Sequence, residues 1–221
     1  MRILIEAAVE TLVDALAAVA GGADRLELCA DLDAGGTTPS RALVADVLAR
    51  MSVPVLVMIR PRAGDFVYSR DERDRMRADI AVAIELGASG VVLGALDSSG
   101  RIDVAATREL IAAARGRDVT VHRAIDETRD VRAAVEMLAS LGVARVLSSG
   151  AAPTALEGAD TLAAMVEHAG DALRIVAGGG VRGHNVAELV RRSGVREVHA
   201  RCGGEAARIR GIREALGARA G

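Results

Sequence analysis

Eight short β-type runs, each followed by a longer stretch of helical periodicity, divide this chain from end to end, and few architectures accept that count. The candidate strands are residues 3–6, 25–29, 55–60, 90–93, 119–122, 145–148, 174–177 and 197–199. Amphipathic stretches follow at 11–20, 39–50, 71–86, 103–115, 130–141, 161–169, 183–192 and 205–216. A strand parallel to its predecessor needs a crossover of about a dozen residues or more. Eight such units in succession predict a closed α/β architecture, the (β/α)8 or TIM barrel. A doubly wound open sheet is the competing arrangement. It usually opens with a glycine-rich turn after its first strand, and this chain has Glu6-Ala7-Ala8 there. No linker or composition shift breaks the pattern, so residues 1–221 are expected to form one barrel domain.

The joints between units repeat as well. GGADRLEL, LGASGVVL and LGVARVLS each read as a helix end, a glycine and a buried strand. Gly21-Gly22 and Gly87 stand where a left-handed helix cap is wanted. Thr38-Pro39 reads as a capping hydroxyl before a proline at the first helical position.

Composition removes several chemistries. All 28 basic residues are arginine. Without a lysine amine, neither a Schiff-base aldolase nor a pyridoxal-phosphate mechanism can run on this chain. The formal net charge of −2, the absence of a basic block and the single Tyr and Phe argue against nucleic acid as a partner. No apolar run nears the roughly 20 residues that span a bilayer, and Glu6 interrupts the first apolar run too early for a signal peptide. Cys29 and Cys202 do not make a disulfide framework. A cytoplasmic protein without membrane contact is expected.

Side chains alternate along a strand, so parity predicts which residues face the barrel interior. In the second strand Leu26 and Leu28 pack on helices, leaving Arg25, Glu27 and Cys29 inside, with Cys29 at the rim. In the third, Met58, Arg60 and Arg62 share the inward face. In the fifth, Thr120 and His122 point in, and in the eighth, Glu197 and His199. In the first, Glu6 is expected at the top. Buried charges are rare without partners, so Glu6, Glu27, Arg60, Arg62, His122, Arg123, Asp126 and His199 are read as one site at the C-terminal ends of the strands. Two glycine clusters, AGGGVRGHN with Gly178, Gly179 and Gly180, and HARCGGE with Gly203, follow the last two strands. There a barrel often holds a phosphate on exposed backbone N–H groups.

The same residues carry a family likeness. GADRLELCADLDAGGTTPS at 22–40 resembles a pattern GADRxELC followed by GGxTPS. IRPRAGDFVYS at 59–69 resembles IRPRGGDFxYS, VHRAID at 121–126 resembles HRAFD, and RVLSSG at 145–150 resembles RVLTSG. AGGGVRGHN and EVH match in order and spacing. The family is CutC, the copper homeostasis proteins. The resemblance implies a cytoplasmic, homo-oligomeric TIM barrel linked to copper handling and often described as binding Cu(I), with no reaction attached. There are departures: Ala7 and Ala8 stand where many members carry a cysteine after the first strand, Arg62-Ala63-Gly64-Asp65 replaces RGGD, and HARCGG replaces a loop more like HSSA.

Two chemistries follow. Cu(I) prefers soft thiolate and thioether ligands. Cys29 is the candidate ligand, with Met58 and His199 as possible neighbours. Alternatively, the barrel is an enzyme acting on a small anionic, phosphorylated metabolite. In that reading Glu6, Glu27, His122 and Asp126 supply acid–base chemistry, with Asp126 orienting His122 or pairing with Arg123. Arg60, Arg62, Arg123, His199 and the glycines Gly178, Gly179, Gly180 and Gly203 would hold the anion.

Overall fold

The computed structural model describes residues 2–217. Eight parallel strands close into a barrel in chain order: β1 (Leu4–Val9), β2 (Arg25–Leu28), β3 (Val55–Met58), β4 (Gly90–Leu93), β5 (Asp118–Val121), β6 (Arg145–Ser148), β7 (Arg174–Gly178) and β8 (Glu197–Arg201). β8 pairs back onto β1, which closes the ring. The helices are α1 (Leu12–Ala20), α2 (Arg41–Leu48), α3 (Arg70–Glu85), α4 (Val104–Ala113), α5 (Val131–Ser140), α6 (Ala159–Ala169), α7 (Val186–Ser193) and α8 (Ala206–Gly217). This is the expected (β/α)8 barrel. Among the described residues, no helix is long and apolar enough to cross a membrane.

Local chemistry sets the element ends. Thr11, Asp103 and Asp130 cap α1, α4 and α5 with side-chain oxygens that accept backbone N–H bonds. Ser69 and Glu72 form a reciprocal capping box at α3. The three repeated joints are three copies of one device. Gly22, Gly87 and Gly142 take φ of +95°, +97° and +78°. In each, the glycine N–H bonds three residues back and the next N–H bonds five back, as at Gly22→Val19 and Ala23→Ala18. That double bond pattern satisfies the last helical carbonyls, and the left-handed turn favours glycine. The cap of α2 differs from expectation. Ser40 caps it by accepting from the Leu43 N–H, and Thr38 Oγ1 instead accepts from the Arg60 N–H at 2.9 Å. Thr38 therefore ties the loop after β2 to the end of β3.

Parity holds across the sheet. Ile5, Leu26, Leu28, Val57 and Ile59 join the apolar layer between barrel and helices. Cys29, Leu56, Met58 and Val92 form a separate small cluster inside the barrel. β1 extends to Val9 rather than stopping at Glu6. Two positions later on the same face, Ala8 takes the mouth position, and Glu6 lies one layer deeper, fully buried.

Candidate functional site

A chain of ionisable groups runs through the barrel interior. Arg25 Nη2 donates to Glu197 Oε2 at 2.6 Å, and Arg25 Nε donates to Glu6 Oε2 at 2.5 Å. His199 Nδ1 lies 2.8 Å from Glu6 Oε1, and its Nε2 lies 3.5 Å from Glu27 Oε2. Strand register builds this chain: Glu6 stands opposite Arg25 on one neighbour and His199 on the other. Arg145, opposite Thr120, is also buried and pairs with Asp118 at 2.8 Å.

The environments push these groups apart. Burial works to raise the Glu6 pKa, but the His199 hydrogen bond and the Arg25 charge prevail and hold it at about 2. Burial raises Glu27, and the His199 charge only partly offsets this. Burial lowers the His199 pKa, but the Glu27 charge and the Glu6 contact outweigh that and leave it raised. Glu6 is thus held as the anion, while Glu27 and His199 are both shifted towards holding a proton.

Above this chain opens a cavity of about 250 Å³, lined among others by Glu27, Arg60, His122, Arg123, Gly179 and His199. Three lining residues present buried polar atoms without a hydrogen-bond partner among the described residues: Glu27 Oε1, Arg60 Nε and His122 Nε2. His122 follows β5 directly. Gly94 makes room for its ring, since a Cβ there would sit 2.6 Å from His122 Cε1. The Ala124 N–H donates to His122 Nδ1 at 3.2 Å. Burial and then the Arg60 charge hold the imidazole pKa at about 3. The ring is therefore neutral, its Nδ1 is an acceptor, and its proton sits on Nε2. His122 is placed as a neutral hydrogen-bond donor rather than a base titrating near pH 7.

The arginines divide. Arg60 lines the cavity, but its guanidinium donates to the carbonyls of Ala34, Gly36 and Gly64. It also lies 4.8 Å from the Phe66 ring centroid. It knits two mouth loops together, with Nε still unpartnered. Arg62 does not reach the cavity. β3 ends at Met58, so strand alternation no longer aims residue 62, and its guanidinium is taken by Glu72 at 2.6 Å and Asp65 at 2.9 Å. Arg123 does line the cavity, bonded to Asp126 and, through Nη2, to Ser149 Oγ at 2.8 Å. Asp126 does not orient His122. Of the two partners anticipated it takes Arg123, and it also accepts from the N–H groups of Ser149 and Ala151 and from both serine hydroxyls, Ser148 and Ser149. It anchors the loop after β6.

The glycine clusters also part. Gly179 and Gly180 line the cavity with φ of +115° and +71°. Among the described residues, the N–H groups of Gly179, Gly180 and Val181 make no hydrogen bond. Gly178 sits just below, packed so closely that a Cβ would meet Leu147 Cδ1 at 2.5 Å. Gly203 is elsewhere: its neighbour is the Arg208 side chain, and it does not line the cavity. Sequence reasoning missed Phe66, Arg182 and Arg201 in the lining. Arg201 was within reach of parity, two residues beyond His199 on the same face of β8. Phe66 and Arg182 lie on loops, where no periodicity applies.

Of the soft donors, Cys29 is buried, and both its Sγ and the Met58 Cε lie 3.4 Å from where a Gly36 Cβ would be. Cys202 packs in the apolar layer outside the barrel. Burial, with Glu27 next, pushes the Cys29 thiol well above its ordinary pKa. Among the described residues no cluster of three or more His, Cys, Asp or Glu side chains is placed to hold a metal. One protonated thiol beside one thioether falls short of the donor set of a tight Cu(I) site.

This arrangement has close relatives. A CutC family protein of Caulobacter vibrioides is 47% identical over 203 residues, covering 92% of this chain and 82% of the relative. One from Xanthomonas campestris pv. campestris is equally identical, with 92% and 85% covered. A solved CutC structure from Streptococcus agalactiae, provisionally assigned to copper homeostasis, superposes with a TM-score of 0.85 at 35% identity, covering 89% of this chain and 97% of that one. The CutC family profile matches residues 3–204, and on that extent and identity the chain belongs to the CutC family.

Proposed function

We propose that the mouth of the barrel binds a small anionic, phosphorylated metabolite and performs acid–base chemistry on it, with Glu27 as the proton-transferring group. The observation that carries this reading is that three buried atoms in one cavity lack partners among the described residues, two of them, Glu27 Oε1 and His122 Nε2, on groups suited to acid–base chemistry and carbonyl binding. An unsatisfied buried polar group costs roughly 1–3 kcal/mol, and a ligand offering a hydroxyl and a carbonyl oxygen would satisfy both. The unbonded N–H groups of residues 179–181 and the nearby Arg123 guanidinium suit the anionic end. Asp126 and Ser149 hold Arg123 in place for this. No lysine is present, so a Schiff base plays no part.

Calorimetric titration with inorganic phosphate and a panel of sugar phosphates tests the reading. Arg123→Ala is expected to weaken binding by about tenfold or more, the scale of one charge-assisted contact. Gly179→Ala is expected to do the same. Its Cβ would sit 3.1 Å from Ser149 Cβ at a φ of +115°, which displaces the loop. If neither variant changes the affinity of any panel member, the anion site is elsewhere.

A second reading, copper homeostasis, rests on the Cys29–Met58 pair and on the Streptococcus agalactiae relative. A competitive Cu(I) titration under reducing conditions separates the two. Tight stoichiometric binding that Cys29→Ala abolishes favours copper, with the acids and arginines as scaffold. Weak or Cys29-independent binding leaves the metabolite site as the function of the mouth.

A further inference from the structure

We infer that the ligand is a phosphorylated α-hydroxy carbonyl compound and that the reaction is its enolisation, with Glu27 removing the carbon-bound proton and His122 donating a hydrogen bond to the carbonyl oxygen. This deepens the metabolite-binding reading and rests on it.

The assignment follows from which side of the cavity holds which chemistry. Glu27 comes from β2 and His122 follows β5, so three strand steps of the eight-strand ring separate them and the cavity lies between. On the β2 side of the cavity Glu27 Oε1, and on the β5 side the neutral His122 Nε2–H, have no partner among the described residues. A base and an uncharged donor facing each other across a small cavity suit a substrate whose C–H bond and carbonyl oxygen are adjacent. A neutral imidazole pinned by a backbone N–H at Nδ1 can donate from Nε2 without having a proton to lose at ordinary pH. A charged acid there would instead protonate the oxygen outright.

The step balances without a co-reactant. The C–H bond next to the carbonyl breaks, and its proton goes to Glu27 Oε1. The electron pair forms the C=C bond, and the carbonyl π pair moves to oxygen, where the His122 Nε2–H stabilises the enediolate. Glu27 then returns the proton to the same carbon as the electron pair on oxygen re-forms the carbonyl, so the carboxylate and the imidazole end as they began. His199, 3.5 Å from Glu27 Oε2 and held by Glu6 at 2.8 Å, is a positioning residue that steadies the carboxylate as it gains and loses the proton. The cavity of about 250 Å³ falls just below the roughly 300 Å³ at which pockets for drug-sized ligands begin, so it suits a small metabolite. The residue 179–181 loop sits where that phosphate would anchor.

The test is deuterium uptake. Protein is incubated in D2O with dihydroxyacetone phosphate and, separately, ribulose 5-phosphate, and carbon-bound protons are followed by NMR. Calorimetry with the same two compounds reports binding in parallel. The expected result is deuterium entering a position next to the carbonyl of at least one compound. Glu27→Gln is expected to slow it by about 10³-fold and His122→Ala by about 10²-fold. Thermal melts check that each variant is folded. If Glu27→Gln does not fold, Glu27→Asp replaces it and is expected to slow exchange without abolishing it. Binding without deuterium entry overturns enolisation and leaves the anion site standing. Absence of binding by both compounds overturns both readings. Exchange undiminished in a folded Glu27 variant overturns the assignment of the base.

Discussion

Arg25→Ala is expected to destabilise the folded chain by about 3–5 kcal/mol, the cost of leaving buried charges without their partner. Arg25 is 5% exposed and bridges Glu6 and Glu197, themselves 0% and 6% exposed. Removing the guanidinium leaves Glu6 with His199 alone and Glu197 with only Arg174 at 3.8 Å, so the two interior carboxylates lose their shared counter-charge. The triple variant Glu6→Gln, Arg25→Met, Glu197→Gln is expected to recover much of the loss, because it removes the charges together. Urea denaturation of the three proteins measures this. A loss under about 1 kcal/mol for Arg25→Ala would mean that water already reaches the interior carboxylates.

Acidification is expected to remove the contribution that His122 makes to the stability of the fold. Its folded pKa is about 3 against an ordinary 6.5. Between those values the unfolded chain binds a proton that the folded one refuses, so stability is intact above pH 6.5 and falls as pH drops towards 3. The full effect is on the order of 4–5 kcal/mol, about half of it lost between pH 7 and 4.5. Glu6, with a folded pKa of about 2 against 4.5, acts in the same direction at lower pH. Glu27 and His199, both raised, oppose the trend, since their folded forms hold protons more tightly. His122→Gln isolates the His122 share. Comparing urea midpoints at pH 7 and 4.5, the variant is expected to lose about 2–3 kcal/mol less than wild type. Equal losses would show that the imidazole takes up a proton freely in the folded state.

Much of the site was legible because strand parity is a local property. Leu26 and Leu28 fall in the outer layer and Glu27 and Cys29 inside, as the alternation predicts. The misplacements share one cause: the strand ends, or the loop turns, at a place other than the local pattern suggests. Alternation does not apply to Arg62, which sits beyond β3 in a turn that wraps its guanidinium around Asp65 and Glu72. Glu6 is deeper than expected because β1 runs on to Val9. Gly203 follows β8, but its loop turns towards Arg208. Strand length and loop direction depend on contacts distant in sequence, and no local pattern encodes them.

Taken alone, the sequence determined the barrel, its three repeated joints and the chemistry it can host: acids, imidazoles and arginines, without a lysine amine. These follow from hydrophobic period, from turn chemistry and from composition, which neighbours in the chain decide. Only the tertiary structure decided which ionisable groups are spent on one another and which are left for a ligand. Arg25, Glu6 and Glu197 satisfy each other in the interior, and Asp126 is consumed by the β6 loop, while among the described residues Glu27 Oε1 and His122 Nε2 remain without partners at one cavity. That division comes from strand register and burial. Register brings residues nearly two hundred positions apart, such as Glu6 and His199, to 2.8 Å, and burial sets the protonation state in which each one waits.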